Sequence, residues 1–184
     1  ANCLKLDCTT ADTSIAADEF FAILYQFEGQ DLQQLAKGTS DAKEVTVSFY
    51  AKANASKTYV VELKDYDNTR TVSKTFTVGT SYSRIELTFP ADTTGALDND
   101  TARSLSLNIY LHVGSTYTGG TLQTSWGSQV TANRAVGCES FFSSTDNTFF
   151  ITGLQMEVGS VATEFEHRTL TEELMLCRRY FYNN

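Results

Sequence analysis

Tyr110, Asn108 and His112 share one side of an alternating run, Tyr50 and Ser48 share the outward side of another, and Tyr117 and the only tryptophan, Trp126, lie in or beside a Gly/Ser/Thr/Tyr-rich stretch. Such a mixture suits sugar binding. The apolar C–H faces of a sugar stack on aromatic rings, and its hydroxyls need fixed polar partners. The candidate ligand-binding residues are therefore Trp126, Tyr117, Tyr110, Asn108, His112 and Tyr50. Each also has a structural use, since outward tyrosines fit a pleated, half-buried surface and Trp126 can cap one end of a core.

Catalytic chemistry has less material. The two histidines, His112 and His167, belong to no nucleophile motif, and Gly-x-Ser-x-Gly is absent. A Ser/His/Asp set can assemble from distant positions, so the missing motif is not proof. Glu62, Glu86, Asp65 and Asp67 offer carboxylate pairs, but a chain with 22 acidic residues offers them by chance. The expectation is no enzyme and no cofactor. For calcium, Asp65, Asp67 and Asn68, and Asp98, Asn99 and Asp100, supply hard oxygens, yet six to eight ligands are required and no twelve-residue loop with a sixth-place Gly and a terminal Glu is present. Asp and Asn at strand tips are ordinary turn formers, so no metal is expected.

Charge narrows the partners. Lys plus Arg is 14 against 22 Asp plus Glu, a net charge of −8, with the basic residues scattered rather than striped. Binding nucleic acid by neutralising phosphates is not expected, and neither is attraction to anionic membranes. No apolar run approaches the roughly 18 residues of a membrane span, and no basic leader precedes an apolar segment, so no membrane insertion is expected. Ala1 is not an initiator Met: the chain is processed, numbered from a domain start, or cut from something longer. Cys3, Cys8, Cys138 and Cys177 lack the paired short spacings of a zinc site. Cys3 and Cys8 would face opposite ways on a regular strand, which disfavours a disulfide. Free thiols suit folding in a reducing cytoplasm, and buried cysteine is equally a good small core residue.

The elements that must position these groups read as strands. Val45, Val47, Phe49 and Ala51 alternate with polar neighbours, as do Tyr59, Val61 and Leu63, then Ile85, Leu87 and Phe89, which Pro90 terminates. Leu105, Leu107, Ile109, Leu111 and Val113 stand against Ser104, Ser106, Asn108, Tyr110 and His112. Leu4 and Leu6, then Leu24, Tyr25 and Phe27, then Phe76 and Val78, and finally the run from Phe149 to Val158 bring the count to eight or nine. Asp65-Tyr66-Asp67-Asn68 reads as a hairpin tip, Ala91–Asp100 as an acidic loop, and Gly114–Gly127 as a polar loop. Asp31–Leu35 and the C-terminal segment are the helical candidates. Thr169 stands three residues before Glu172, the spacing of a capping box. Leu170, Leu174, Cys177 and Phe181 then fall on one stripe, with Arg178 and Arg179 where the helix dipole favours cations. An apolar stripe followed by Tyr180 and Tyr182 must be covered, by its own sandwich or by a neighbouring subunit. At 184 residues the chain suits one domain that buries roughly 70% of its unfolded surface. The predicted fold is all-β, a jelly-roll β-sandwich of two antiparallel sheets with a short C-terminal helix, spanning 1–184 with 159–184 as arm and helix.

The stretch ITGLQMEVGSVATEFEHR followed by TEELMLCRRYFY, with FEGQDLQQLAKGTSDAKEVTVSFYAKA at 27–53 and TTADTSIAADEF at 9–20, resembles the signature of a family of phage and prophage virion proteins. These carry a jelly-roll module similar to carbohydrate-binding modules in tail fibres and related appendages. The chain departs from that pattern at Tyr50, where a Trp or other large aromatic is usual, and at Glu164, where Pro is common. The resemblance implies a virion protein assembled in bacterial cytoplasm, a homotrimer among other virion proteins, and recognition of host-surface polysaccharide or glycan. The alternative is a capsid or tail decoration protein that binds no glycan.

Overall fold

The computed structural model describes residues 2–178. Among the described residues, nine strands form two antiparallel sheets. They are β1 (Leu4–Asp7), β2 (Phe20–Glu28), β3 (Val45–Ala53), β4 (Lys57–Asp65), β5 (Arg70–Val78), β6 (Ser83–Phe89), β7 (Arg103–Val113), β8 (Gly127–Ser128) and β9 (Thr148–Val158). One sheet has the order β1-β9-β3-β6 and the other β2-β7-β4-β5-β8. Thus β1 pairs with β9, β2 with β7, β3 with β6, and β4 with β5. Nested antiparallel pairs that alternate between two sheets are the jelly roll, the fold expected from the alternating runs.

The inward half of each pattern makes the core. Val47, Phe49 and Ala51 of β3 and Phe149 of β9 meet Tyr59 and Leu63 of β4, Val72 and Phe76 of β5, and Leu107 and Ile109 of β7, all buried. Phe76 meets Phe49 edge-on at 5.1 Å, and Tyr59 meets Phe149 at 5.6 Å. Such edge-to-face pairs contribute about 1 kcal/mol beyond the area they bury.

The outward face of the five-stranded sheet is also covered. From Gly114 to Asn147 the chain forms three short 3-10 turns and β8, and lies over that face. Backbone bonds run from Glu139 N–H to the Thr58 carbonyl at 2.8 Å and from Ala135 N–H to the Tyr117 carbonyl at 3.0 Å, and the Ser73 hydroxyl donates to the Arg134 carbonyl at 2.8 Å. A second small cluster of Val60, Tyr110, Val113 and Ala135 forms beneath it. As a result β7 is buried on both sides from Ser104 to Val113.

The C-terminal arm crosses the other sheet. Thr46 donates to the Gly159 carbonyl at 2.7 Å, Arg84 donates to the Thr163 carbonyl, and Glu166 N–H donates to Gln155 Oε1 at 2.9 Å. Beyond the arm, α1 (Leu170–Cys177) starts with the predicted capping box of Thr169 and Glu172. Hydrogen bonds from Thr169 hold the Glu172 carboxyl below its usual range. No residue of α1 is buried, so within the described residues the sandwich does not cover the stripe of Leu170, Leu174 and Cys177. Arg179, Tyr180, Phe181 and Tyr182, predicted to continue it, lie outside the described residues.

Candidate functional site

The predicted site residues separate into three places. Asn108, Tyr110 and His112 do share a strand side, but it is not solvent-facing: all three are buried beneath the 114–147 cover. This corrects the expectation of an open patch. Alternation fixes which residues share a side and is silent about what lies over it. Under the cover, Arg134 Nε and Nη2 donate to the two oxygens of the fully buried Glu62 at 2.8 and 2.7 Å. Asn108 donates to Glu62 at 2.8 Å, and the Tyr110 hydroxyl donates to Glu62 at 3.1 Å while accepting from Arg134 at 2.6 Å. Burial, then the charge of Glu62, pushes the Tyr110 phenol up. Tyr117 completes this cluster, its ring 5.5 Å from Phe20 and 5.7 Å from Arg134. The charged and hydroxyl groups of this buried network satisfy one another and pin the cover to the sheet, while Asn108 Oδ1 has no hydrogen-bond partner among the described residues.

His112 belongs to a different set of contacts. Its Nδ1 lies 2.8 Å from Ser140 Oγ and its Nε2 3.6 Å from Glu19. Carboxylate, imidazole and hydroxyl in a row resemble a nucleophile relay, but Ser140 Oγ already accepts Phe142 N–H as the cap of a 3-10 turn. None of the three lines either of the large clefts described below.

Trp126 stands at the far edge. Its indole N–H donates to the Pro90 carbonyl at 2.9 Å, its ring packs on the core, and Lys37 Nζ lies 5.2 Å from the ring centroid. Three of the carboxylates considered for calcium, Asp65, Asp67 and Asp100, accept from protein donors close by. Asp65 accepts from Lys37 at 2.5 Å and from Asn68, Asp67 accepts Asp98 N–H at 3.0 Å, and Asp100 accepts Ala102 N–H at 2.9 Å. Among the described residues no group of three or more His, Cys, Asp or Glu is arranged to hold a metal ion.

Tyr50 alone faces an open cleft. It lies on the outward side of β3 at 39% exposure, opposite Thr152 of β9 and Arg84 of β6. Here the ladder slips: Ser48 faces Gln155 and Tyr50 faces Thr152, so Gly153 and Leu154 together oppose Phe49. Gly153 takes φ +62°, the left-handed value glycine adopts freely at a bulge. The bulge flips the parity of β9, turning Phe149 and Ile151 inward before it and Met156 inward after it. It also makes room. A Cβ at Gly153 would stand 3.3 Å from the Tyr50 ring, a tight contact, and 3.6 Å from the Phe165 ring, an ordinary one, so the two rings close over this glycine with little room to spare.

The resulting groove holds about 650 Å³. Tyr50, Tyr82 and Phe165 provide rings, and Thr152, Glu164 and His167 provide polar groups. His167 meets Phe165 edge-on at 5.1 Å. The aromatic row continues along the sheet, with Phe150 6.5 Å from Tyr82 and Lys52 Nζ 4.7 Å above Phe150. Cys3 borders the groove and hydrogen bonds with Tyr82, which pushes that phenol up. Rings beside acceptors and donors on a firm sheet can stack and orient a polyhydroxylated ligand. Sequence reasoning placed Tyr50 in the candidate set but missed Tyr82, Phe165, Thr152 and Glu164. One signal was available, because a glycine inside a strand marks a bulge or a close approach.

No protein-family model matches the sequence, and no curated protein matches it. Among solved structures, a carbohydrate-binding module described as "CBM4 structure and function" is similar over 85% of this chain and 82% of its own, at 12% identity and a TM-score of 0.39.

Proposed function

We propose that this chain is a glycan-binding jelly roll of a phage virion appendage, a tail fibre or similar structure, and that the groove around Tyr50 takes a host-surface polysaccharide. The observation that carries the binding part is the groove itself: three rings and three polar side chains around about 650 Å³, facing solvent. Aromatic stacking on pyranose C–H faces and hydrogen bonds from Thr152, Glu164 and His167 are the recognition chemistry. The role is binding without turnover. The virion part, and with it a place in a particle assembled in bacterial cytoplasm, rests on the resemblance of 147–182 and 27–53 to virion proteins. Weak single sites in a homotrimer, repeated around a virion, would act together through effective concentration.

The test is a bacterial surface-glycan array followed by titration of hits. Tyr50→Ala and Tyr82→Ala should each weaken binding about tenfold, equivalent to about 1.4 kcal/mol. A blank array, or hits that ignore both substitutions, would overturn the assignment. A second reading, a decoration protein that packs on other virion chains and binds no glycan, is favoured by the exposed Leu170, Leu174 and Met175 of α1. The position of the chain in an intact particle separates the two, because decoration requires this helix against the shell and adhesion requires the Tyr50 groove free.

A further inference from the structure

The four-stranded sheet leaves part of a lane empty. Strand β9 runs for 11 residues, Thr148–Val158, but β1 pairs only with Thr148 to Ile151. Beside Leu154 to Val158 no strand is paired on the far side from β3 among the described residues. That stretch is about 17 Å of open edge at about 3.3 Å per residue. An open edge presents backbone N–H and C=O groups for which another strand is the matching partner.

A cleft of about 880 Å³ lies along the same edge, between the two sheets. Its floor is apolar, made of Tyr25, Phe27, Leu107 and Met156. Tyr25 is 55% exposed and Leu154 36%, unusual exposure for large apolar groups beside a core. Its outer rim is acidic, with Glu157, Glu164, Glu166 and Glu173 against one cation, Arg168. Arg168 approaches Glu166 at 3.6 Å and Glu173 at 3.7 Å, leaving the Glu164 carboxylate without an ion-pair partner among the described residues.

We infer that the lane beside Leu154–Val158 is a docking site for an extended segment of another polypeptide in which apolar residues alternate with Lys or Arg. A strand in this lane turns alternate side chains inward onto Tyr25, Phe27 and Met156, and the others outward toward the carboxylates of the arm. The floor selects apolar residues and the rim selects cations. Charge argues against a second copy of this chain as the occupant. Its net charge is −8, and the most exposed apolar element, α1, carries Glu172 and Glu173 in its first turn. Like charges across a rim are unfavourable. This site is separate from the Tyr50 groove except at the shared Glu164 and Phe165, and the inference does not depend on glycan binding.

The probe is a fluorescent peptide, acetyl-Lys-Leu-Lys-Leu-Lys-Leu-Lys, titrated into the intact chain by anisotropy, with amide exchange followed at Leu154–Val158. The control has the same composition reordered as Lys-Lys-Leu-Leu-Leu-Lys-Lys. The alternating peptide should bind and slow exchange at Leu154–Val158, and the reordered one should bind far more weakly. Glu166→Lys with Glu173→Lys, both in exposed positions, should lower affinity about tenfold and reduce its salt dependence. The double substitution Tyr50→Ala with Tyr82→Ala should leave peptide binding unchanged while abolishing any glycan binding. Absence of binding, binding without slowed exchange, equal binding of the reordered peptide, or indifference to the charge reversal would each overturn the inference.

Discussion

Lys37 places an ammonium where four oxygens converge: Asp65 at 2.5 Å, Asp92 at 3.1 Å, the Thr94 carbonyl at 3.2 Å and the Gly95 carbonyl at 2.7 Å. A side chain thus neutralises a buried acidic nest of the kind that would otherwise invite a cation, and Arg70 adds a two-pronged contact to Asp92 at 2.8 and 2.9 Å. Removing the ammonium strands buried carboxylates, so Lys37→Met should cost about 3 kcal/mol, read from the urea midpoint. A loss under 1 kcal/mol would mean water already shares the nest. The same groups set an acid limit. Burial alone would raise Asp92, but hydrogen bonds from Arg70 and Lys37 outweigh it and hold the carboxyl below its usual range. A carboxyl lowered in the folded state stabilises fully above its unfolded value of about 3.9, and that contribution disappears as pH falls through the lower folded value. Urea midpoints should therefore decline from pH 5 toward pH 2, and the decline should be shallower in Asp92→Asn. At the groove, Gly153→Ala places a methyl between the Tyr50 and Phe165 rings at φ +62°. It should cost about 1–2 kcal/mol and weaken binding in the groove together, whereas strain without loss of binding would detach the bulge from the proposed role.

Elements differ in what their own residues could disclose. The alternation in β3, β4, β6 and β7 was plain, and Pro90 ended β6 at Phe89 as its missing donor requires. The side of β7 carrying Asn108, Tyr110 and His112 misled, because its cover is the 114–147 stretch, which has almost no regular structure and hence no periodicity to announce it. The contact that fixes the cover, Arg134 on Glu62, joins residues 72 apart in sequence. Nothing local in either residue points to the other. The groove was half legible for the same reason: Tyr50 is on a patterned strand, whereas Tyr82 and Phe165 arrive from a loop and an arm. The helix shows the opposite balance. Its capping box followed from Thr169 and Glu172, but its apolar stripe finds no partner among the described residues. Leu174 is 50% exposed, so Leu174→Ser should shift stability by no more than about 0.5 kcal/mol in chemical denaturation, whereas Phe49→Ala should cost about 3–5. A large effect at Leu174 would mean that the helix packs on something in solution.

At the scale of the molecule, the nested pairing makes one prediction about cooperativity. The first and last strands, β1 and β9, pair with each other, and the inner pairs β2–β7, β3–β6 and β4–β5 close within them, so no sheet can be removed without opening the other. The 114–147 cover is tied to this body by Arg134 and by the Glu139–Thr58 bond, and its status is the open physical point: it either opens with the sandwich or on its own. Cysteines distinguish the two. Cys3 and Cys177 are exposed, Cys8 is buried in the core where β1 ends, and Cys138 belongs to the cover and is half-buried, its thiol turned toward the sheet, where burial pushes it up to about 12. Cys8 donates to the Thr10 carbonyl at 3.2 Å and Cys138 to the Tyr110 carbonyl at 3.3 Å. With a thiol reagent at pH 8, Cys3 and Cys177 should react at once. Cys8 and Cys138 should follow together at the global unfolding rate, Cys8 because burial denies the reagent access and Cys138 because its half-buried, raised thiol supplies little thiolate. Urea should accelerate both slow phases with the same slope. Fast labelling of Cys138 with Cys8 still protected would show that the cover lifts by itself, exposing the Glu62–Arg134 network and the side of β7 that now lies hidden.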